Sequence, residues 1–153
     1  MLTPKLVRTA TLVYGIAFTF FAIAGFIPGM THMHGGEDRL IVEGPGHGDL
    51  LGLFHVNLLH NLTHLAFGVW GLVAYSRGYA SSRIYGRGVA VIYGVLAIAG
   101  LVPGLNSMFG LVPLEGHDVW LHVVLAIGGA IFGFAPVEDD RGAAGTASMV
   151  GVR

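Results

Sequence analysis

The chain has 153 residues, of which 54% are apolar, 11% are charged and 25 are glycine, with a formal net charge of −1 and no cysteine. A domain of this length buries about two-thirds of its surface, and an average soluble domain is about 25% charged. The balance therefore argues against a soluble globular fold, a disordered chain and a nucleic-acid partner. The lack of cysteine excludes disulfides, thiolate metal sites, iron–sulfur clusters, covalently attached haem and cysteine nucleophiles. Eight histidines, as many as lysine and arginine together, are the other departure from ordinary composition.

A helix needs about 20 apolar residues to cross a bilayer core of about 30 Å. Four stretches are candidates in chain order: 6–27, 51–75, 84–102 and 119–134, the last short but extended if Asp118 and Glu115 sit in the interface. Pro28, Pro103 and Pro136 each stand just past a stretch, where proline ends a helix. The first stretch has the basic start (Lys5, Arg8) and small residues (Ala22, Ala24) of a secretion signal. Its length argues against removal, and so does its echo: FAIAGFIPGM at 21–30 reappears as LAIAGLVPGL at 96–105. His64 and His122 begin a weaker echo between the second and fourth stretches.

These echoes predict an all-α, integral-membrane four-helix bundle made of two parallel two-helix hairpin repeats, with a pseudo-two-fold axis along the membrane normal. Residues 1–135 form the membrane domain; the acidic and small residues of 136–153 predict a disordered cytoplasmic tail. Lys5, Arg8, Arg77, Arg83, Arg87, Arg141 and Arg153 lie on one side of the four spans, and Arg39 on the other. The excess of basic residues places both termini in the cytoplasm, in a bacterial inner membrane.

All eight histidines then fall toward the outside. At about 100° per residue, taking Asn57 as zero, His60 lies at about −60°, Asn61 at about +40° and His64 at about −20°. Gly68 and Gly71 continue this stripe inward, while Trp70 lies nearly opposite and is expected to face lipid. The fourth span repeats the plan with Asp118, His122, Ala126, Gly129 and Gly133, joined by Glu115 if the helix begins that early. Small residues allow close helix approach in lipid, and polar groups turn inward. The two stripes are therefore expected to face each other. Gly15, Ala22, Gly25 and Gly29, and Ala90, Gly94, Ala97 and Gly100, offer further close-packing surfaces; Tyr14 and Tyr93 offer hydroxyls.

The string LGLFHVNLLHNLTHLAFGVWGL at 51–72, flanked by AGFIPG and AGLVPG, resembles a family of small four-helix bacterial membrane proteins catalogued as a domain of unknown function. The likeness covers about residues 8–134, and its most specific part is Asn57-x-x-His60-Asn61-x-x-His64. It implies the four-span fold and brings no activity, substrate or catalytic residue.

Three chemistries suit the polar stripes. As interhelical glue, Asn57, Asn61 and the histidines would hydrogen-bond across the bundle, each contact worth about 0.6–2 kcal/mol. As a transition-metal site, His60 and His64 share the i, i+4 spacing that lets two imidazoles reach one ion, with His122, Asp118 or Glu115 completing the set. The loop segment Thr31-His32-Met33-His34, with His47, reads as a solvated acidic loop before it reads as an ion-capture site. As a b-type haem site, His60 or His64 would oppose His122, with Gly68 and Gly129 making room. Passage of protons is less well supported, because no Asp or Glu occupies the cytoplasmic half of any span. No nucleophile or nucleotide fingerprint occurs. The sequence thus points to a non-enzymatic membrane subunit or small-ligand binding module, in a lipid bilayer with a homo-oligomer or membrane-protein partner. Its inward cluster is structural, or alternatively holds a metal or haem on His60, His64 and His122 with Asp118.

Overall fold

The computed structural model describes residues 1–32, 41–42 and 44–138. Four helices dominate: α1 (Pro4–Ala24), α2 (Leu58–Arg77), α3 (Tyr79–Leu101) and α4 (His117–Phe134). Between α1 and α2 lie three short strands, β1 (Thr31–His32), β2 (Gly48–Leu50) and β3 (Phe54–Val56), forming an antiparallel sheet in the order β1-β2-β3.

The helix ends follow local chemistry. Thr3 accepts from Leu6 N–H and Pro4 opens α1, an arrangement that satisfies a first-turn donor without wasting one. Asn57 caps α2 by accepting from His60 N–H at 2.9 Å. One residue, Gly78, joins α2 to α3; its φ of +97° gives the reversal that glycine takes without a Cβ penalty. At the far end of α4, Arg83 Nη1 donates to Ala135 C=O at 2.7 Å and Arg87 Nε to Gly133 C=O at 3.0 Å. These arginines satisfy helix-terminal carbonyls that lack intrahelical partners.

Packing is closest within the pairs α1–α2 and α3–α4, while α1 and α4 barely meet. Glycine sets the first contact: a Cβ on Gly15 would stand 2.9 Å from Leu72 N, and one on Gly71 would stand 2.8 Å from Gly15 Cα. In the second pair, a Cβ on Gly129 would stand 2.9 Å from Ala90 N, and one on Gly133 2.7 Å from Arg87 N. Backbone thus lies on backbone, the packing mode of helices that gain little from expelling water. A core of Val7, Phe18, Phe67, Ala74, Tyr85, Val89, Tyr93 and Phe132 fills the space between the pairs.

The outside is greasier than the inside. Val13, Ile16, Phe20, Val91, Val95, Ile98, Val124 and Ile127 are exposed, whereas Thr11, Asn57, His60, Asn61, His64, Ser82, Asp118 and His122 are buried. Helices α1, α3 and α4 are long and apolar enough to cross a membrane, with mean hydropathies of 1.7, 1.7 and 1.5. The distribution is that of a membrane protein, in which lipid replaces water as the outer solvent.

Several sequence expectations need correction. The fold is mostly helical rather than all-α, because the approach to α2 folds into the three-stranded sheet. Helix α2 begins at Leu58, not near Leu51, since Asn57 is extended and caps it. Helix α4 begins at His117 because Gly116, at φ +66°, breaks the chain before it. Glu115 is therefore left in the exposed connection, where its Oε2 accepts from Asn106 Nδ2 at 2.6 Å. Trp70 does not simply face lipid: it is half-buried against Tyr85, in a slot left open by Gly88. Gly94 and Gly29 have nothing within reach of a Cβ and make no close approach. The expected tail is not free from residue 136: Leu2 N–H donates to Pro136 C=O and Glu138 N–H to Leu2 C=O. Met33, His34, Arg39 and the chain beyond Glu138 lie outside the described residues.

Candidate functional site

The two polar stripes meet. His60 and His64, one turn apart on α2, approach through their Nε2 atoms at 3.2 Å, with ring centroids 4.5 Å apart. His122 enters from α4, its ring 6.4 Å from that of His60 and 5.2 Å from that of Tyr93. Asp118 precedes His122 by one turn and shares its face. His60, Asp118 and His122 each present one ligand atom, and these three atoms lie within 4.8 Å of one another. His64 stands beside this triad rather than in it, packed on Phe18 at 5.6 Å.

The triad is buried and incompletely bonded. His60 is 2% exposed, Asp118 1% and His122 1%. Asp118 Oδ2, His122 Nδ1, His64 Nδ1 and the Tyr93 hydroxyl have no hydrogen-bond partner among the described residues. Buried polar atoms are paired in all but a few cases, so each such atom calls for a reason. An imidazole pair with a carboxylate is a donor set suited to zinc, iron, nickel or copper.

The asparagines do different work from that expected. Asn57 Nδ2 donates to Val42 C=O and to Leu111 C=O, both at 2.8 Å. Asn61 Nδ2 donates to Gly46 C=O at 3.2 Å, and its side chain occupies the space beside Gly25 that a Cβ would need. Both side chains thus clamp the neighbouring connections onto the head of α2. Sequence periodicity placed Asn57 and Asn61 on the right face but could not show that their partners are distant loop carbonyls.

Room for a macrocycle is lacking beside the expected glycines. A Cβ on Gly68 would meet the Thr19 backbone and hydroxyl, and one on Gly129 would meet Ala90 and Val89. Those two glycines serve close helix packing rather than an open slot. Of the other described histidines, His55 Nδ1 lies 3.7 Å from Asp49 Oδ1 across the sheet, with the His47 ring edge-on to it, and His117 Nδ1 accepts from Trp120 Nε1 at 3.1 Å. A feature invisible in the sequence is a largely apolar cavity of about 470 Å³ between α1, the sheet and α4, whose lining includes His64 and Asp118.

Fold and site together define a small helical membrane protein with a buried histidine–aspartate cluster at one end of its bundle. The chain belongs to the family described as a domain of unknown function (DUF4383), whose model matches residues 8–135. Neither the curated proteins nor the solved structures give a match.

Proposed function

We propose that the protein is a membrane-embedded binding module that holds a transition-metal ion on His60, Asp118 and His122. The observation that carries this reading is the convergence of three buried ligand atoms within 4.8 Å of one another. Interhelical glue would have bonded these groups to each other, yet Asp118 Oδ2 and His122 Nδ1 stand unpartnered. An ion would satisfy them, with donors drawn to about 2 Å from it by small side-chain rotations.

The test is metal analysis of detergent-purified protein, followed by zinc titration of chelator-treated protein. Wild type is expected to take up zinc in a one-to-one ratio, and a His60→Ala/His122→Ala variant to take up at least tenfold less. Equal zinc in the two proteins would remove the site.

Four spans and an internal duplication complete the reading. Helix α2 has 20 residues and lies along α1, so it returns across the membrane that α1 crosses. The spacing that aligns residues 21–30 with 96–105 also aligns Gly15 with Ala90 and Gly25 with Gly100. The spacing that aligns His64 with His122 aligns Gly71 with Gly129 and Asn61 with Val119. The close approaches match on this basis: Gly15 meets Gly71 as Ala90 meets Gly129, and Gly25 meets Asn61 as Gly100 meets Val119. Basic residues at Lys5, Arg8, Arg77, Arg83 and Arg87 support cytoplasmic termini in a bacterial inner membrane.

A further inference from the structure

We propose that the cavity between α1 and α4 admits, from the bilayer, a neutral lipophile with a hydroxyaromatic head, and that Asp118 and His64 bind its hydroxyl. This goes beyond the metal reading and does not require the ion.

The cavity has the size of a small-molecule site, where volumes of about 300–1,000 Å³ are usual. Its lining residues differ in exposure. Val13, Trp120 and Val124 on the rim are 57%, 50% and 55% exposed, on a surface that a membrane protein turns toward lipid. Asp118 and His64 also line the cavity and are 1% and 7% exposed, covered from the outer surface. A ligand entering between the two helices would travel through apolar surroundings to reach two polar side chains.

Those side chains select the head group. Asp118 Oδ2 and His64 Nδ1 are both buried without a partner. Among the described residues no lysine or arginine lines the cavity, so a phosphate or carboxylate head would meet the Asp118 carboxyl with no such cation to offset it. A plain hydrocarbon would leave both groups unsatisfied at the cost of their desolvation. A hydroxyl both donates and accepts, and so fits this pair. The walls select the body: Tyr14, Phe18, Phe21, Phe54 and Trp120 surround the space with rings, which pack edge-to-face on a flat aromatic molecule. A phenol or hydroquinone carrying an alkyl tail meets all these conditions, with the tail left in the bilayer.

Trp120 reports on the site directly, because the chain has only one other tryptophan, Trp70. Decylhydroquinone is titrated into chelator-treated protein in detergent, and tryptophan quenching is followed in wild type and in Trp70→Phe. Decylbenzene, decanoic acid and 1-decanol serve as comparisons lacking the hydroxyl, the neutral head and the ring. The expected result is saturable quenching by decylhydroquinone, with each comparison at least tenfold weaker. Ala17→Phe, which fills the cavity from α1 without touching a polar group, should weaken binding at least tenfold. Asp118→Leu should do so too, by loss of a charged hydrogen-bond partner. Helical circular dichroism confirms that each variant is folded, and ligand-induced Tm shifts give a second measure. Equal, unsaturable quenching by all four molecules, or unchanged affinity in folded Ala17→Phe, would overturn the proposal. Because the titration is made without metal, saturable binding there supports the cavity even if zinc fails to bind, and loss of binding there overturns it even if zinc binds.

Discussion

His60 and His64 meet through their Nε2 atoms at 3.2 Å, one helical turn apart and almost wholly out of contact with solvent. Two ring nitrogens at that distance share one proton, so one imidazole donates and the other accepts. The contact aligns the His60 ring, which also belongs to the triad with Asp118 and His122. His64 is thereby a support for the site rather than a member of it.

Substitution should separate those two roles. His64→Phe leaves a buried His60 nitrogen unpaired and is expected to lower stability by about 1–3 kcal/mol, read as a lower Tm in detergent. Its zinc uptake should stay within about threefold of wild type, since the three ligand atoms remain. His122→Gln should show the reverse pattern, with uptake lost and Tm of the metal-free protein lowered less. Zinc titration beside thermal unfolding distinguishes them, and loss of uptake in His64→Phe would place His64 among the ligands.

Asn57 links three segments with one side chain. Its Oδ1 caps α2, and its Nδ2 holds the carbonyls of Val42 and Leu111. Asn57→Asp keeps the cap and removes the donors, whereas Asn57→Ala removes all three bonds. The expected loss is about 2–4 kcal/mol for the second and at least as much for the first, whose buried carboxyl faces two carbonyl oxygens. Hydrogen exchange should quicken in the segment around Leu111 in both variants. A loss confined to α2 in Asn57→Asp would contradict the clamp.

Much of the helical plan was legible because lipid imposes a simple rule: long apolar runs become spans. The facing of His60 toward His122 followed from the 3.6-residue period, and small residues correctly marked the contacts at Gly15, Gly71 and Gly129. Other features depend on events that periodicity does not record. Glu115 left the stripe because one glycine, Gly116, took a positive φ. Trp70 turned inward because Gly88, distant in sequence, opened a slot. Asn57 and Asn61 satisfied loop carbonyls whose positions only the tertiary fold determines. The cavity arises where two non-sequential helices fail to meet, and no local pattern encodes that gap.

Glycine substitutions test the packing account with opposite signs. Gly129→Ala would set a methyl 2.9 Å from the Ala90 amide nitrogen, and Gly71→Ala one 2.8 Å from Gly15 Cα. Each pushes two backbones apart and should cost about 1–3 kcal/mol. Gly94 also lies inside a helix, but a methyl there meets nothing within 4 Å. Gly94→Ala should be neutral or stabilise by up to about 1 kcal/mol, through alanine's better helix propensity. Tm values for the three variants under one detergent condition decide the matter; equal losses would mean that helix approach is not what these glycines provide.

The orientation is open to a direct chemical test because the chain contains no cysteine and therefore no background thiol. Leu53, 52% exposed in the turn between β2 and β3, marks the end of the bundle where the sheet lies. Tyr79, 37% exposed at the start of α3, marks the opposite end, among the arginines. The distribution of basic residues predicts Tyr79 in the cytoplasm and Leu53 outside. In spheroplasts treated with a membrane-impermeant maleimide, Leu53→Cys should label at once. Tyr79→Cys should label only after the membrane is permeabilised. Reversed labelling would invert the topology and turn the cavity mouth and histidine cluster toward the cytoplasm. Labelling of both sites in intact spheroplasts would mean that α1 and α2 do not cross the membrane as a pair.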